Sequence, residues 1–178
     1  MTARSRERQV DDAGVSLVEL IIYALVASIV VGAAALILVN SWITQRNVTG
    51  MTEATNRGQT MSSTIERAMH NALDFDVSLD GTTLRVRTSL DDDLRCQGFY
   101  ISGGSARWAM ADQDLPVGAG SWTVWQRDVV QRGSTAYFIP GSGSITYTFD
   151  IETASAPVRF EGRAAARSAL SGESAPCW

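Results

Sequence analysis

The sequence predicts an α+β fold: one long amino-terminal helix, with a transmembrane half and an amphipathic half, packed on a mostly antiparallel β-sheet head. Three observations predict it. The block Leu20 to Val39 has 20 residues and no charge. From Met51 onward, small and apolar residues recur at steps of three and four. From Phe75 the period drops to two, and turn-rich pieces punctuate the remainder of the chain.

Residues Met1 to Ala13 are polar and charged without periodicity and read as a disordered cytoplasmic leader. The apolar block follows, broken from aliphatic character only by Tyr23, Ser28 and Gly32. At about 1.5 Å per residue it spans a hydrocarbon core of about 30 Å. Arg4, Arg6 and Arg8 precede it and the first basic residue after it is Arg46, so the positive-inside rule puts the amino terminus in the cytoplasm and the body outside. Asp11 and Asp12 weigh little in that rule. Trp42 sits where amphipathic rings collect at a membrane boundary. Glu19 is the odd residue, because a carboxylate at the edge of such a run costs a few kcal/mol in lipid unless it finds a partner. A secretory signal peptide has a shorter apolar stretch, of about 7–15 residues, and the Ala33-Ala34-Ala35 triplet here is followed by more apolar residues. A plain signal anchor accounts for the length and flanking charges but not for Gly14 just ahead of the run and Glu19 just inside it.

Past the membrane the helix is expected to continue. Met51, Ala54, Gly58, Met61, Ile65, Ala68 and Ala72 mark one face, widened by Met69 and Leu73. Glu53, Asn56, Arg57, Gln59, Ser63, Glu66 and Arg67 mark the other. Gly50 and Gly58 each cost about 1 kcal/mol relative to alanine, which makes a kink or melted turn near them the alternative to a continuous helix. A helix from Val15 to about Leu73 is about 90 Å long.

Strand periodicity starts with Phe75, Val77 and Leu79 alternating with acids and serine; Asp80-Gly81 is a hairpin signal, and Leu84 and Val86 alternate with Arg85 and Arg87 on the return. Further strands are predicted at Leu94 to Ile101, Ala106 to Ala111, Trp122 to Gln131, Thr135 to Pro140, Ile145 to Glu152 and Val158 to Gly162. Glycine- and serine-rich turns separate them. The chain therefore divides into a leader (1–14), a transmembrane helix (15–41), the amphipathic half of that helix (42–74) and a β-rich head (75–178). The head is one domain with room for one core.

The charge balance is 15 arginines against 19 acids, with no lysine, and the net of −4 gives no basic surface for broad nucleic-acid binding. Arg85 and Arg87 on one strand face are too slight a footprint to change that. Outside the cytoplasm, Cys96 and Cys177 sit where disulfides persist. A bridge between them closes a loop of about 80 residues, worth about 4–5 kcal/mol in the chain-entropy model, and ties down an otherwise loose carboxyl tail; the alternative is two buried or free thiols. Their spacing excludes a CxxC metal or redox site. His70 has no second ligand at metal spacing and reads as an ordinary side chain. Asp91-Asp92-Asp93 lacks the alternating ligands of an EF-hand loop and reads as a solvated turn, with calcium as the alternative. No nucleophile elbow, Cys–His pair or phosphate loop is present, so neither an enzyme activity nor a cofactor is predicted. Trp108, Trp122, Trp125 and Trp178 read mostly as core, with an exposed aromatic patch as the alternative.

Gly14, then Val15-Ser16-Leu17-Val18-Glu19 and the long apolar helix, resembles the type IV prepilin signature over the 26 residues from Gly14 to Val39. The resemblance implies cleavage by a membrane prepilin peptidase between Gly14 and Val15, N-methylation at Val15, and retention of the apolar segment on the mature chain. Val15 stands where phenylalanine is commonest, and the leader carries acids beside its arginines. It further implies a helical stem with a head on its outer half, other pilin subunits and a membrane-embedded assembly platform as partners, and a path from cytoplasmic membrane to extracellular filament. The physics of Glu19 fits that picture. Helices packed side by side would each bury an amine at Val15 and a carboxylate at Glu19, a pair that nearly cancels, whereas removing one partner costs about 3–5 kcal/mol. A tryptophan-rich, loop-heavy head and a glycine-bearing stem favour a minor or tip-associated pilin over a major one. A pseudopilin of a type II secretion or competence system shares the same amino terminus. From a different class, the rival is a permanently anchored extracellular binding or adhesion domain, which keeps its leader and tolerates change at Gly14 and Glu19.

Overall fold

The computed structural model describes residues 16–90, 93–167, 170 and 177–178. Gly14, Val15, Asp91, Asp92 and most of the carboxyl tail lie outside the described residues. The chain forms two units, Met1–Gln45 and Arg46–Trp178, taken separately below.

One helix, α1 (Leu17–His70), begins in the first unit and ends in the second. Glu19 in its first turn and Arg67 and His70 in its last complement the helix dipole. Thr44, Thr52, Thr55, Thr60 and Thr64 each return their hydroxyl to the carbonyl four residues back, which satisfies these polar groups without leaving the helix. Asn71 closes the last turn, its Nδ2 donating to the Arg67 carbonyl at 2.8 Å. The helix is continuous through Gly50 and Gly58, as the long-helix reading expects, without the kink or melted turn that was its alternative. Gly58 has a packing reason: the ring of Phe160 lies where its Cβ would be.

In the second unit Ala54, Gly58, Met61, Ile65, Ala68 and Met69 are the buried residues of α1. All lie on the stripe expected from the sequence. Met51, the first residue of that stripe, is exposed, and Ala72 is buried from a strand instead.

The first sheet is a five-stranded antiparallel meander in chain order: β1 (Ala72–Val77), β2 (Thr83–Leu90), β3 (Asp93–Ser102), β4 (Ser105–Ala111) and β5 (Thr123–Arg127). Its β1–β2 loop is longer than a two-residue hairpin. Ser78 to Thr82 turn with Leu79 fully exposed, and the Asp80 carboxylate accepts from the Ser78 hydroxyl at 2.6 Å and the Thr82 amide at 3.1 Å. In the second sheet β8 (Ser144–Ile151) is central. It pairs along its length with β9 (Val158–Ala165), and on its other edge with β7 (Phe138–Gly141) and then β6 (Val129–Val130).

The stretch Trp122 to Gln131, predicted as one strand, is two. Asp128 adopts a left-handed φ of 61° between β5 and β6 and carries the chain from one sheet to the other. Arg57 of α1 fastens that corner, reaching the Asp128 carboxylate at 3.5 Å and the Arg127 carbonyl at 3.4 Å. Backbone bonds from Phe138 to Gly81 and from Val129 to Gly104 stitch the sheets together.

Pleat periodicity builds the core. On β8, Ile145, Tyr147, Phe149 and Ile151 share one face. Together with Leu84, Val86, Phe99 and Ile101 of the first sheet, they join the apolar stripe of α1 in a single buried cluster. The other face of β8 aligns Thr146, Thr148 and Asp150 with Arg163, Glu161 and Arg159 of β9, a polar face on which Thr148 and Asp150 are buried while the β9 side chains are exposed.

Candidate functional site

Among the described residues no group of three or more His, Cys, Asp or Glu side chains is placed to hold a metal. His70 is exposed at the end of α1, and Asp93 is exposed beside Arg95 at 3.8 Å. The chemistry of the chain gathers in two other places.

The first is the amino-terminal part of α1. Its most apolar window is long and apolar enough to cross a membrane, and no residue of it is buried. Leu17, Val18, Leu20, Ile21, Ile22, Leu25 and Val26 all stand open. About 25 cal/mol per Å² of apolar surface left in water makes an uncovered run of this size strongly unfavourable, so it demands lipid or other helices. Glu19 is the charged exception in the first turn, and it is not without a partner. The hydroxyl of Tyr23, one turn on, donates to Glu19 Oε1 at 3.0 Å. The spacing of four that brings these side chains together is visible in the sequence, although there Tyr23 reads only as an interruption of aliphatic character. Gly14 and Val15, the predicted cleavage and methylation positions, lie outside the described residues.

The second place is the outer face of the first sheet. Cys96 of β3 and Cys177 are bonded, with Cα atoms 5.5 Å apart. Around them Ala109, Leu115 and Trp122 form a small cluster separate from the main core. Trp122 lies over Gly98, whose missing side chain makes room for the ring, and its Nε1 donates to the Pro116 carbonyl at 2.8 Å. The Leu115 amide donates to the Cys177 carbonyl at 3.3 Å, so the bridge holds the carboxyl end against the segment from 112 to 122. Arg87 is buried there, its Nη1 donating to Cys177 Sγ at 3.4 Å and Cys96 Sγ at 3.7 Å.

That placement alters the reading of the strand arginines. Arg85 and Arg87 do share a face, but Arg87 is sealed under the disulfide and Arg85 pairs with Asp76 at 3.6 Å. The tryptophans divide. Trp122 is in the small cluster; Trp108 and Trp125 lie half-buried against the main core, Trp125 with its ring centroid 6.0 Å from that of Phe99. Trp178 is 40% exposed beside a shallow cavity that Arg85, Val117 and Trp122 also line.

Compared with known proteins, the chain matches no family model, no curated protein and no solved structure.

Proposed function

We propose that the chain is a type IV pilin-like subunit, most akin to a minor pilin, made as a prepilin, cut after Gly14 and assembled into a filament through its amino-terminal helix. The observation that carries this reading is the uncovered, uncharged surface of α1 from Leu20 to Val39 with a single carboxylate, Glu19, at its edge. A helix destined only for lipid gains nothing from that carboxylate. A helix destined to pack among copies of itself gains a partner for an amine and a register.

The partners in this reading are the prepilin peptidase, neighbouring pilin subunits, the cytoplasmic membrane and a membrane-embedded assembly platform. Its work is structural, not enzymatic. The tryptophan content of the head supports the minor-pilin assignment; the stem glycines do not, since α1 runs unbroken through both.

The test is Glu19→Ala, expressed in the native cell and followed by quantifying the subunit in sheared filaments against the membrane fraction. Cleavage continues and incorporation falls to background if the reading is right. Normal incorporation of Glu19→Ala contradicts the role given to Glu19 and points to a filament registered by other contacts; absence of the wild-type chain from sheared filaments, with its leader retained, points to the permanently anchored binding domain.

A further inference from the structure

The bond between Tyr23 and Glu19 has a consequence for where the carboxylate can go. A carboxylate close to a membrane boundary ordinarily extends along its stem toward headgroups and water. In α1 the Cα–Cβ bonds tilt toward the amino terminus, so Glu19 leans that way, while the longer Tyr23, about 6 Å further along the axis, leans back over it. The result is the bond of 3.0 Å to Oε1, with Oε2 free of any partner among the described residues. Two other hydroxyls stand on the described residues of this stretch, Ser16 three residues before Glu19 and Ser28, which is engaged with the Leu25 carbonyl; the hydroxyl bonded to Glu19 is that of Tyr23. In hydrocarbon no water competes for either group, so the bond is stronger there than on a wetted helix.

We propose that Tyr23 is the positioning residue for Glu19: its hydroxyl holds the carboxylate against the flank of α1 inside the membrane, taking one oxygen and presenting the other to a single incoming cation. This rests on the reading of Glu19 as the assembly carboxylate. The cation in that reading is the amine of a neighbouring processed subunit, and Tyr23 fixes the depth at which it must arrive. Without the hydroxyl, Glu19 swings out to the boundary and the register is lost.

The full chain inserted in phosphatidylethanolamine–phosphatidylglycerol vesicles tests this before any assembly takes place. A water-soluble carbodiimide with glycine methyl ester converts carboxyls that reach water into amides, and peptide mass spectrometry reads the fraction at Glu19. Wild type is expected to react slowly, Tyr23→Phe roughly tenfold faster, the factor that losing one hydrogen bond to a charged group sets, and Tyr23→Gln, which restores a donor, close to wild type. Equal labelling of wild type and Tyr23→Phe overturns the proposal, as does a Tyr23→Gln chain as reactive as Tyr23→Phe. In cells, Tyr23→Phe is expected to be cleaved normally and incorporated less; incorporation at the wild-type level overturns the role in register. Normal incorporation of Glu19→Ala instead removes the reading of Glu19 as the assembly carboxylate and leaves the vesicle result standing by itself.

Discussion

At Gly58 two demands on the helix oppose each other. Alanine is the better helix former by about 1 kcal/mol, yet a methyl there meets the ring of Phe160, which is held by stacking on Phe149 at 5.3 Å and has little room to retreat. Crowding of this kind costs about 1–3 kcal/mol, so Gly58→Ala is expected to lower the thermal midpoint of the detergent-solubilised chain. At Gly50 a side chain would enter open space and meet no such neighbour. Gly50→Ala is expected to raise the midpoint, by the same measurement, through the helix term alone. Tyr147 poses a different question. Burial, helped by the Glu66 carboxylate that accepts its hydroxyl proton, pushes its pKa up to about 12. Between pH 10, the ordinary value, and pH 12 the unfolded chain releases a proton that the folded chain keeps, so stability falls as pH rises through that window. Tyr137, raised by burial, contributes in the same direction. Tyr147→Phe should therefore flatten, without abolishing, the alkaline fall in denaturation midpoint; an unchanged slope would show that Tyr147 ionises freely in the fold.

The turn between β1 and β2 shows what an element asks of one position. Gly81 has a left-handed φ of 66°, and a Cβ there would lie 2.6 Å from the Ala136 Cβ and 2.8 Å from the Phe138 carbonyl oxygen. Backbone handedness alone costs about 1–2 kcal/mol for a side chain, so Gly81→Ala is expected to destabilise by at least that much in urea titration and to loosen β7 along with the hairpin. The sequence marked Asp80-Gly81 as the turn because those residue types supply the conformation. It did not mark the contact with Ala136, since nothing local encodes a neighbour more than fifty residues away. The same division runs through the head. Alternation located β2, β3, β4, β8 and β9 within a few residues, since each has one face against the core. It merged β5 with β6 because Asp128 changes sheets without a glycine or proline to announce it. Helical spacing identified the buried stripe of α1, while Arg57 read as one more residue of the polar face. Its role at Asp128 depends on where the corner between the sheets arrives.

Over the whole molecule the disulfide and the helix play separable roles. Cys96 and Cys177 lie in a small cluster distinct from the core shared by α1 and both sheets. A closed loop with a sequence separation of 81 residues is worth about 4–5 kcal/mol in the chain-entropy model. Replacing both cysteines with serine is expected to lower stability by up to that amount and to make the carboxyl end protease-sensitive, while the far-ultraviolet spectrum stays that of the native helix and sheets. Loss of the whole fold in that variant would show that the two clusters are not independent. The cysteine pairing was legible in the sequence from compartment and count, but the burial of Arg87 against the sulfurs was not, because a strand arginine carries no sign of which residues will close over it. The carboxylate at Glu19 was legible as a cost in lipid; the hydroxyl that offsets it emerged only when the side chains were in place.

The central claim is that the apolar helix becomes the amino terminus of a processed subunit. Intact-mass and amino-terminal peptide mass spectrometry on the unreduced protein from its native membrane tests it most directly. The expected result is a chain beginning at Val15, with or without a methyl group on its amine, two hydrogens lighter than its reduced form. A chain that still carries Arg4 through Gly14, in cells with an active prepilin peptidase, would contradict it.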